Sequence, residues 1–252
     1  MLATLRHFLF APSRDYPFTA PVHFHLKKDG LSNVWGWKPW ATYLYANRSL
    51  RQKHTFLEVN ERIIEVPWIF NSLNFQKPGK VLDVGWLESS VPLSLATAGF
   101  EVTGIDIRKG DISHPNLTQL QADICNSGLP KSAFDVVMML STMEHIGLDT
   151  LYGKAGKDSS DQKAIDECLR VLKPNGKLLI TTPVARTYYQ DTFMRRYTTD
   201  HLKNMLKSAT ITELRYFKPN QNQTVWREVA ENELPEAPQF GVALLSVQKK
   251  YI

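Results

Sequence analysis

The chain has 252 residues, enough for one large domain that buries its own core without disulfide or metal staples. Apolar residues make up 43% and charged residues 22%, the balance of an ordinary soluble domain, and no apolar run approaches the roughly 18 residues of a membrane-spanning helix. Two cysteines, Cys125 and Cys168, exclude a disulfide framework and a multi-cysteine zinc ribbon, so a reducing cytoplasm is the expected location.

The net charge of +5 is unevenly placed. Residues 1–54 carry eight Lys/Arg against Asp15 and Asp29, and ten of the 27 aromatics. The rest of the chain is nearly neutral. The opening MLATLRHFLFAPS has Arg6 and His7 inside its apolar stretch and reads as a poor signal peptide. Prolines 12, 17, 21 and 39 break residues 1–54 into short pieces, which predicts a basic, aromatic cap segment ahead of a domain spanning 55–252. Such a segment suits an acidic or flat partner, or packs its aromatics onto the body and leaves its charges solvated.

Residues 55–74 have apolar positions at helical spacing, with a bend or break expected at Pro67. From Lys80 strands and helices alternate. Strands are predicted at 80–86, 101–107, 119–124, 134–142 and 177–184. Helices are predicted at 90–98, with Ser90 as N-cap, at 160–173, with Ser159 and Gln162 at capping-box spacing, and at 198–207. Pro174-Asn175-Gly176 reads as a turn, and 209–217 and 241–250 as a closing strand pair. The pattern predicts a Rossmann-like, doubly wound, mostly parallel seven-stranded sheet with a reversed final strand. Ligands of such sheets bind beyond the C-terminal strand ends, at 85–89, 106–108, 123–124, 141–145 and 182–186.

The first strand ends D-V-G-W-L-E-S-S, and Asp106 closes the second strand 21 residues after Gly85. An acid at that distance suits ribose hydroxyls. Leu87 and Ser90 stand where a dinucleotide fingerprint needs glycine, which argues against NAD.

The ordered set VLDVGWLESSVPLSLATAGFEVTGIDIR, HPNLTQLQADI, FDVVMMLSTMEHIGL and ECLRVLKPNGKLLITTPV resembles the class I S-adenosylmethionine-dependent methyltransferases over residues 80–184. The resemblance implies S-adenosyl-L-methionine as cofactor. It implies that Gly85 lets the backbone approach the methionine portion and that Asp83 orients the loop or meets the ammonium. Asp106 would accept the ribose hydroxyls, Asp123 and the Ile124 N–H would hold adenine, and Ser141 would stand beside the sulfonium. The chain departs from the family's D-x-G-x-G-x-G at Trp86, Leu87 and Ser89, where Glu88 and Ser89 still offer polar groups to the cofactor. For Asp83 and Asp123 the alternative is turn or cap chemistry.

Methyl transfer needs a nucleophile held in line with the sulfonium and, for a hydroxyl acceptor, a base. His145, after the fourth strand, is the candidate base; its alternative is a structural bond to a backbone carbonyl. Glu144-His145 resembles part of a metal-assisted site, but Ser141 stands where that site's first acid belongs, so no metal is expected. Arg186, Tyr188 and Tyr189, together with Arg195 and Arg196, are candidates to orient an acidic or aromatic acceptor. Trp40 and Tyr43 are candidates from the N-terminal side. The expected activity is methylation of a hydroxyl or amine on a small molecule, with no membrane partner. RNA methylation ranks second, because the body is neutral and carries no recognisable RNA module. A methyltransferase fold that has lost catalysis is the third reading, motivated by the altered loop.

Overall fold

The computed structural model describes residues 60–148, 160–221 and 225–249. The chain divides between Leu57 and Glu58, and all described residues lie in the second unit. The expected cap segment, with Trp40 and Tyr43, and the Ser159 end of the predicted capping box lie outside the described residues.

Eight strands form one sheet: β1 (Lys80–Val84), β2 (Glu101–Asp106), β3 (Leu117–Gln121), β4 (Phe134–Leu140), β5 (Leu172–Val184), β8 (Ala209–Pro219), β9 (Trp226–Val229) and β10 (Gly241–Lys249). Their order is β3-β2-β1-β4-β5-β10-β8-β9. Strands β1 to β5 pair in parallel, while β10 runs antiparallel to both β5 and β8. The expected count of seven is therefore one short. The added strand is β9, which pairs antiparallel with the end of β8 in a stretch too short and too polar to announce itself. Two short strands, β6 (Tyr189–Gln190) and β7 (Arg195–Arg196), make a separate hairpin.

Strand residues alternate between two cores because successive side chains point to opposite faces. Leu82, Val137, Leu178 and Leu245 pack with α3 (Ser160–Val171) and α4 (Thr199–Met205). Val81, Met138, Leu179 and Leu244 pack with α1 (Arg62–Ser72) and α2 (Val91–Thr97). Burial on both faces explains why β1, β4 and β5 read as continuous apolar runs.

Three local expectations need correction. Helix α1 runs unbroken through Pro67, held against the sheet by buried Trp68 and Ile69 and by the Trp68 indole N–H donating to Glu213 at 3.1 Å. Pro174-Asn175-Gly176 does not interrupt the chain between helix and strand. It is a bulge within β5, with Asn175 at φ 64° and the β4 register jumping from Phe134–Leu172 to Val136–Lys177. Ser90 does not cap α2; the side chain of Ser89 accepts the Val91 N–H at 3.1 Å instead.

The strand order reverses beside β1, with β2 on one side and β4 on the other. A cleft of about 500 Å³ lies over the strand ends there, within the range of small-ligand sites.

Candidate functional site

The floor of the cleft begins at Gly85, whose φ of 77° is the left-handed conformation that favours glycine. A β-carbon there would also lie 2.5 Å from Cγ2 of Thr142 at the end of β4. The chain then enters a 3₁₀ turn, Trp86–Glu88, that turns the Trp86 ring into the core, where it is 2% exposed. Its room comes from two other glycines. A β-carbon at Gly104 would lie 2.5 Å from Cγ of Trp86, and one at Gly110 would lie 2.4 Å from its Cζ2. The bulky residue in the loop is thus matched by missing side chains on and after β2. Leu87 packs against the same core. Of the two polar residues that follow, Glu88 lines the cleft and Ser89 does not, its hydroxyl being engaged as the α2 cap.

Asp83 is buried beneath this loop, outside the cleft lining, and its Oδ2 has no hydrogen-bond partner. Burial pushes its carboxyl well above the ordinary range, opposed by Arg62 and reinforced by Asp106. At the end of β2, Asp106 lines the cleft and is clasped by Arg108. Oδ1 accepts from the Arg108 backbone N–H at 2.9 Å and from Nε at 3.0 Å, while Oδ2 accepts from Nη2 at 3.0 Å. Arg108 also reaches Glu88 at 2.6 Å, so one guanidinium ties the loops after β1 and β2 together. Oδ1 thus has both lone pairs engaged, while Oδ2, with one donor, keeps acceptor capacity toward the cleft. Beyond β3, Asp123 and Ile124 both line the cleft; Asp123 accepts the Cys125 N–H at 2.9 Å and so caps the 3₁₀ turn Ile124–Asn126.

The end of β4 carries a buried polar cluster. Ser141 has φ 44°, its N–H donates to the carbonyl and hydroxyl oxygens of Thr181, and its hydroxyl donates to Glu65 Oε1 at 2.5 Å. Glu65, fully buried on α1, is paired with Arg62 at 2.9 Å, and Arg62 also donates to the Leu140 carbonyl at 3.2 Å. Burial raises the Glu65 carboxyl and Arg62 pulls it back down. Glu144, 1% exposed, accepts from the Thr182 hydroxyl at 3.2 Å. Its burial, reinforced by Glu65 and opposed by Arg62, pushes it up to about 8.

His145 lines the cleft, with Nδ1 2.7 Å from the Phe193 carbonyl and its ring 4.7 Å from the Phe193 ring. A carbonyl only accepts, so Nδ1 carries the hydrogen and Nε2 the lone pair of the neutral ring. Burial holds the imidazole below its ordinary value, and the Phe193 carbonyl opposes this. Nε2 lies 3.9 Å from Glu144 Oε1. Near neutral pH, with the ring neutral and the carboxyl protonated, this contact is not an ion pair.

The segment after β5 contributes differently from expectation. Arg186 pairs with Glu236 at 3.1 Å, Tyr188 stacks on His201 at 4.7 Å, and Tyr189 lies under the Arg196 guanidinium at 5.3 Å. None of the three lines the cleft. Arg195 and Arg196 are buried against Asp161 and Asp191. The cleft wall comes instead from Phe193 and Met194, at the tip of the β6–β7 hairpin, and from Phe240. Arg108 and Glu144 lie within the strand ends the sequence marked but carried no assigned cofactor role, whereas Arg62 and Glu65 were missed altogether. The one available signal was charge inside the apolar-periodic stretch of α1.

Residues 82–180 match the family model described as methyltransferase domain. No curated protein matches the chain. Among solved structures it is similar to an S-adenosylmethionine-dependent methyltransferase from Methanosarcina mazei, at 17% identity and TM-score 0.52, covering 73% of this chain and 98% of that one. It is also similar to an S-adenosylmethionine-dependent methyltransferase from Listeria monocytogenes, described there as putative, at 15% identity and TM-score 0.53, covering 74% and 98%. A third is the 1,6-didemethyltoxoflavin N1-methyltransferase of Burkholderia thailandensis, solved with that compound and S-adenosylhomocysteine, at 12% identity and TM-score 0.52, covering 85% and 87%. At these identities the structures speak for the fold, and the family match speaks for the domain. Residues 82–180 thus match a methyltransferase domain, and the fold around them is that of the S-adenosylmethionine-dependent methyltransferases.

Proposed function

We propose that the cleft holds S-adenosylmethionine along the ends of β1 to β3 and presents its methyl group to a small-molecule hydroxyl or amine on the side of His145. The observation that carries this reading is the buried Asp106 carboxylate at the end of β2, in one cleft with left-handed Gly85 and His145. Three features of these residues fit the cofactor. Asp106 Oδ2 can accept a ribose hydroxyl beside its bond to Arg108. Gly85, in its left-handed conformation, places bare backbone on the cleft lining. Arg62, on the cleft lining, offers a cation to the cofactor's carboxylate, and the unpartnered Asp83 Oδ2 beneath the loop is an acceptor that the ammonium would reach through water. Asp123 and Ile124 take the adenine end, Glu88 serves through its hold on Arg108, and Ser141 shapes the turn at the methyl end.

When bound, S-adenosylmethionine supplies a methyl group already activated on sulfur. The protein's task is then to position the acceptor and remove its proton. Nδ1–H of His145 is fixed on the Phe193 carbonyl, so Nε2 is the atom that takes a hydroxyl proton. Burial keeps the ring neutral and ready to do so at pH 7. Phe193, Met194 and Phe240 give this side an apolar, aromatic lining. Arg186, Arg195 and Arg196 are committed to Glu236, Asp161 and Asp191, which favours an aromatic acceptor over an acidic one.

The test is to incubate the full chain with methyl-labelled cofactor, a panel of aromatic alcohols and amines, and RNA, and to follow the label by mass spectrometry. Label on a small-molecule hydroxyl is expected, with His145→Ala lowering turnover by about 10²–10⁴ while cofactor affinity holds. Wild-type activity should fall on the acid side of the ordinary histidine value, and the variant should lose that limb. Label transferred to RNA alone would overturn the reading.

A further inference from the structure

A sulfonium and its thioether product differ by one positive charge, and the cleft contains a carboxyl placed to respond to that difference. Glu144 lines the cleft in the 3₁₀ turn after β4, buried to 1%, with Oε2 held by the Thr182 hydroxyl and Oε1 facing His145 Nε2 at 3.9 Å. The charged groups around it are few. Helix α1 brings Arg62 and Glu65, and the turn itself brings His145. After β7 comes the Tyr197 hydroxyl, which donates to Asp161 of α3 at 3.0 Å beside Arg195. Arg62 is already paired with Glu65 at 2.9 Å, so the cation nearest this end of the cleft is shared before it reaches Glu144.

We infer that Glu144 is a charge-sensing carboxyl, which gives up its proton when a cationic S-adenosyl ligand fills the cleft and keeps it when the ligand is the neutral thioether. The inference rests on the cofactor reading above. Burial leaves Glu144 protonated at pH 7 in the unliganded protein, close enough to titration for an added charge to tip it. A cation delivered beside a carboxyl lowers its titration by about 1–3 pH units. The proton leaves to solvent on binding and returns after methyl transfer, when the sulfur has become neutral. The ionised carboxylate then favours the cofactor over the product, which helps the product leave.

The comparison of two ligands isolates the sulfonium charge, and Glu144→Gln assigns its effect to this residue. S-adenosylmethionine and S-adenosylhomocysteine carry the same ammonium and carboxylate, so Asp83, Glu65 and Arg62 meet the same charges in both. The difference between the two reports the sulfonium alone. Calorimetry on the full chain at pH 7, in phosphate and in Tris, reads the protons released. Release should be larger for S-adenosylmethionine by roughly half a proton or more. Its affinity should tighten by up to about tenfold per pH unit from pH 6.5 to 7.5, while that of S-adenosylhomocysteine stays nearly flat. Sinefungin, which places a protonated amine at the sulfonium position, should follow S-adenosylmethionine. Glu144→Gln should still bind both ligands and erase the difference. If that variant does not fold, the three-ligand comparison in the wild type decides alone. Equal release for the cation and the thioether, or a difference that survives in Glu144→Gln, would overturn the inference. Failure of either ligand to bind would overturn the cofactor reading with it.

Discussion

The ends of β1 and β4 meet across the same cleft, where Thr142 closes on Gly85, yet they are built in opposite ways. The loop after β1 is an apolar construction, laid over the buried Asp83. Trp86 is buried, its ring seated on Gly104 and Gly110, and the one polar side chain that leaves the cleft, Ser89, caps α2. The β4 end is a polar construction, with Glu65 buried against Arg62 and half-buried Ser141, and Glu144 buried against Thr182. A loop that departs from its family's glycines can therefore keep its path, provided the space is made elsewhere. An ordinary-looking strand end can meanwhile hold a cluster of buried carboxyls, Glu65 and Glu144, beside Arg62.

The largest effect that would break this contrast is the loss of the packed ring. Trp86→Ala leaves a cavity beneath the loop and should cost about 3–5 kcal/mol in urea denaturation. A cost below about 1 kcal/mol would mean that the ring does not hold the β1 end. The β4 end should behave differently. Glu144 is pushed up to about 8 in the fold, against an ordinary 4.5, so the folded state binds its proton more tightly than the unfolded chain does. Its contribution is intact below about pH 4.5 and is lost as pH rises toward 8. Glu144→Gln carries no such penalty and should gain on the wild type across that window, by up to about 1.4 kcal/mol per pH unit. Denaturation curves of both proteins at pH 5, 7 and 8 measure the gap, and a gap that does not widen with pH would show the carboxyl is not buried in its neutral form. The contact between the two ends is smaller. Gly85→Ala should cost about 2–3 kcal/mol, part from the left-handed backbone and part from Thr142. Adding Thr142→Ala should recover the steric part and leave about 1–2 kcal/mol. No recovery in the double variant would show that the two ends do not touch in solution.

Much of this architecture is legible from residues alone. The apolar runs at 80–84, 134–140 and 177–184 announce strands buried on both faces, and their polar terminators mark the cleft. Asp106 and His145 both line it. What escaped depends on tertiary packing. Glu65 reads as one acid in an amphipathic helix until α1 is laid against β4 and buries it beside Ser141. Trp86 looks like damage to a glycine loop until Gly104 and Gly110, 18 and 24 residues later, are seen beneath its ring. Arg186, Tyr188 and Tyr189 look like a polar pocket wall, but the β6–β7 hairpin turns its tip, Phe193 and Met194, toward the cleft instead. Asp106, read from the sequence only as a ribose acceptor, also has a structural partner in Arg108, two residues along the same chain.

That last contact makes Asp106 the sharpest point of the account, because its oxygens must serve Arg108 and a ribose together. The direct test is calorimetric titration of S-adenosylmethionine into the full chain and into Asp106→Ala, with the fold of the variant checked by its denaturation curve. Losing hydrogen bonds to a charged acceptor should weaken binding by about 1.5–3 kcal/mol, roughly tenfold or more. A folded Asp106→Ala protein that binds the cofactor as tightly as the wild type would contradict the placement of the ribose, and with it the orientation of the cofactor in the cleft.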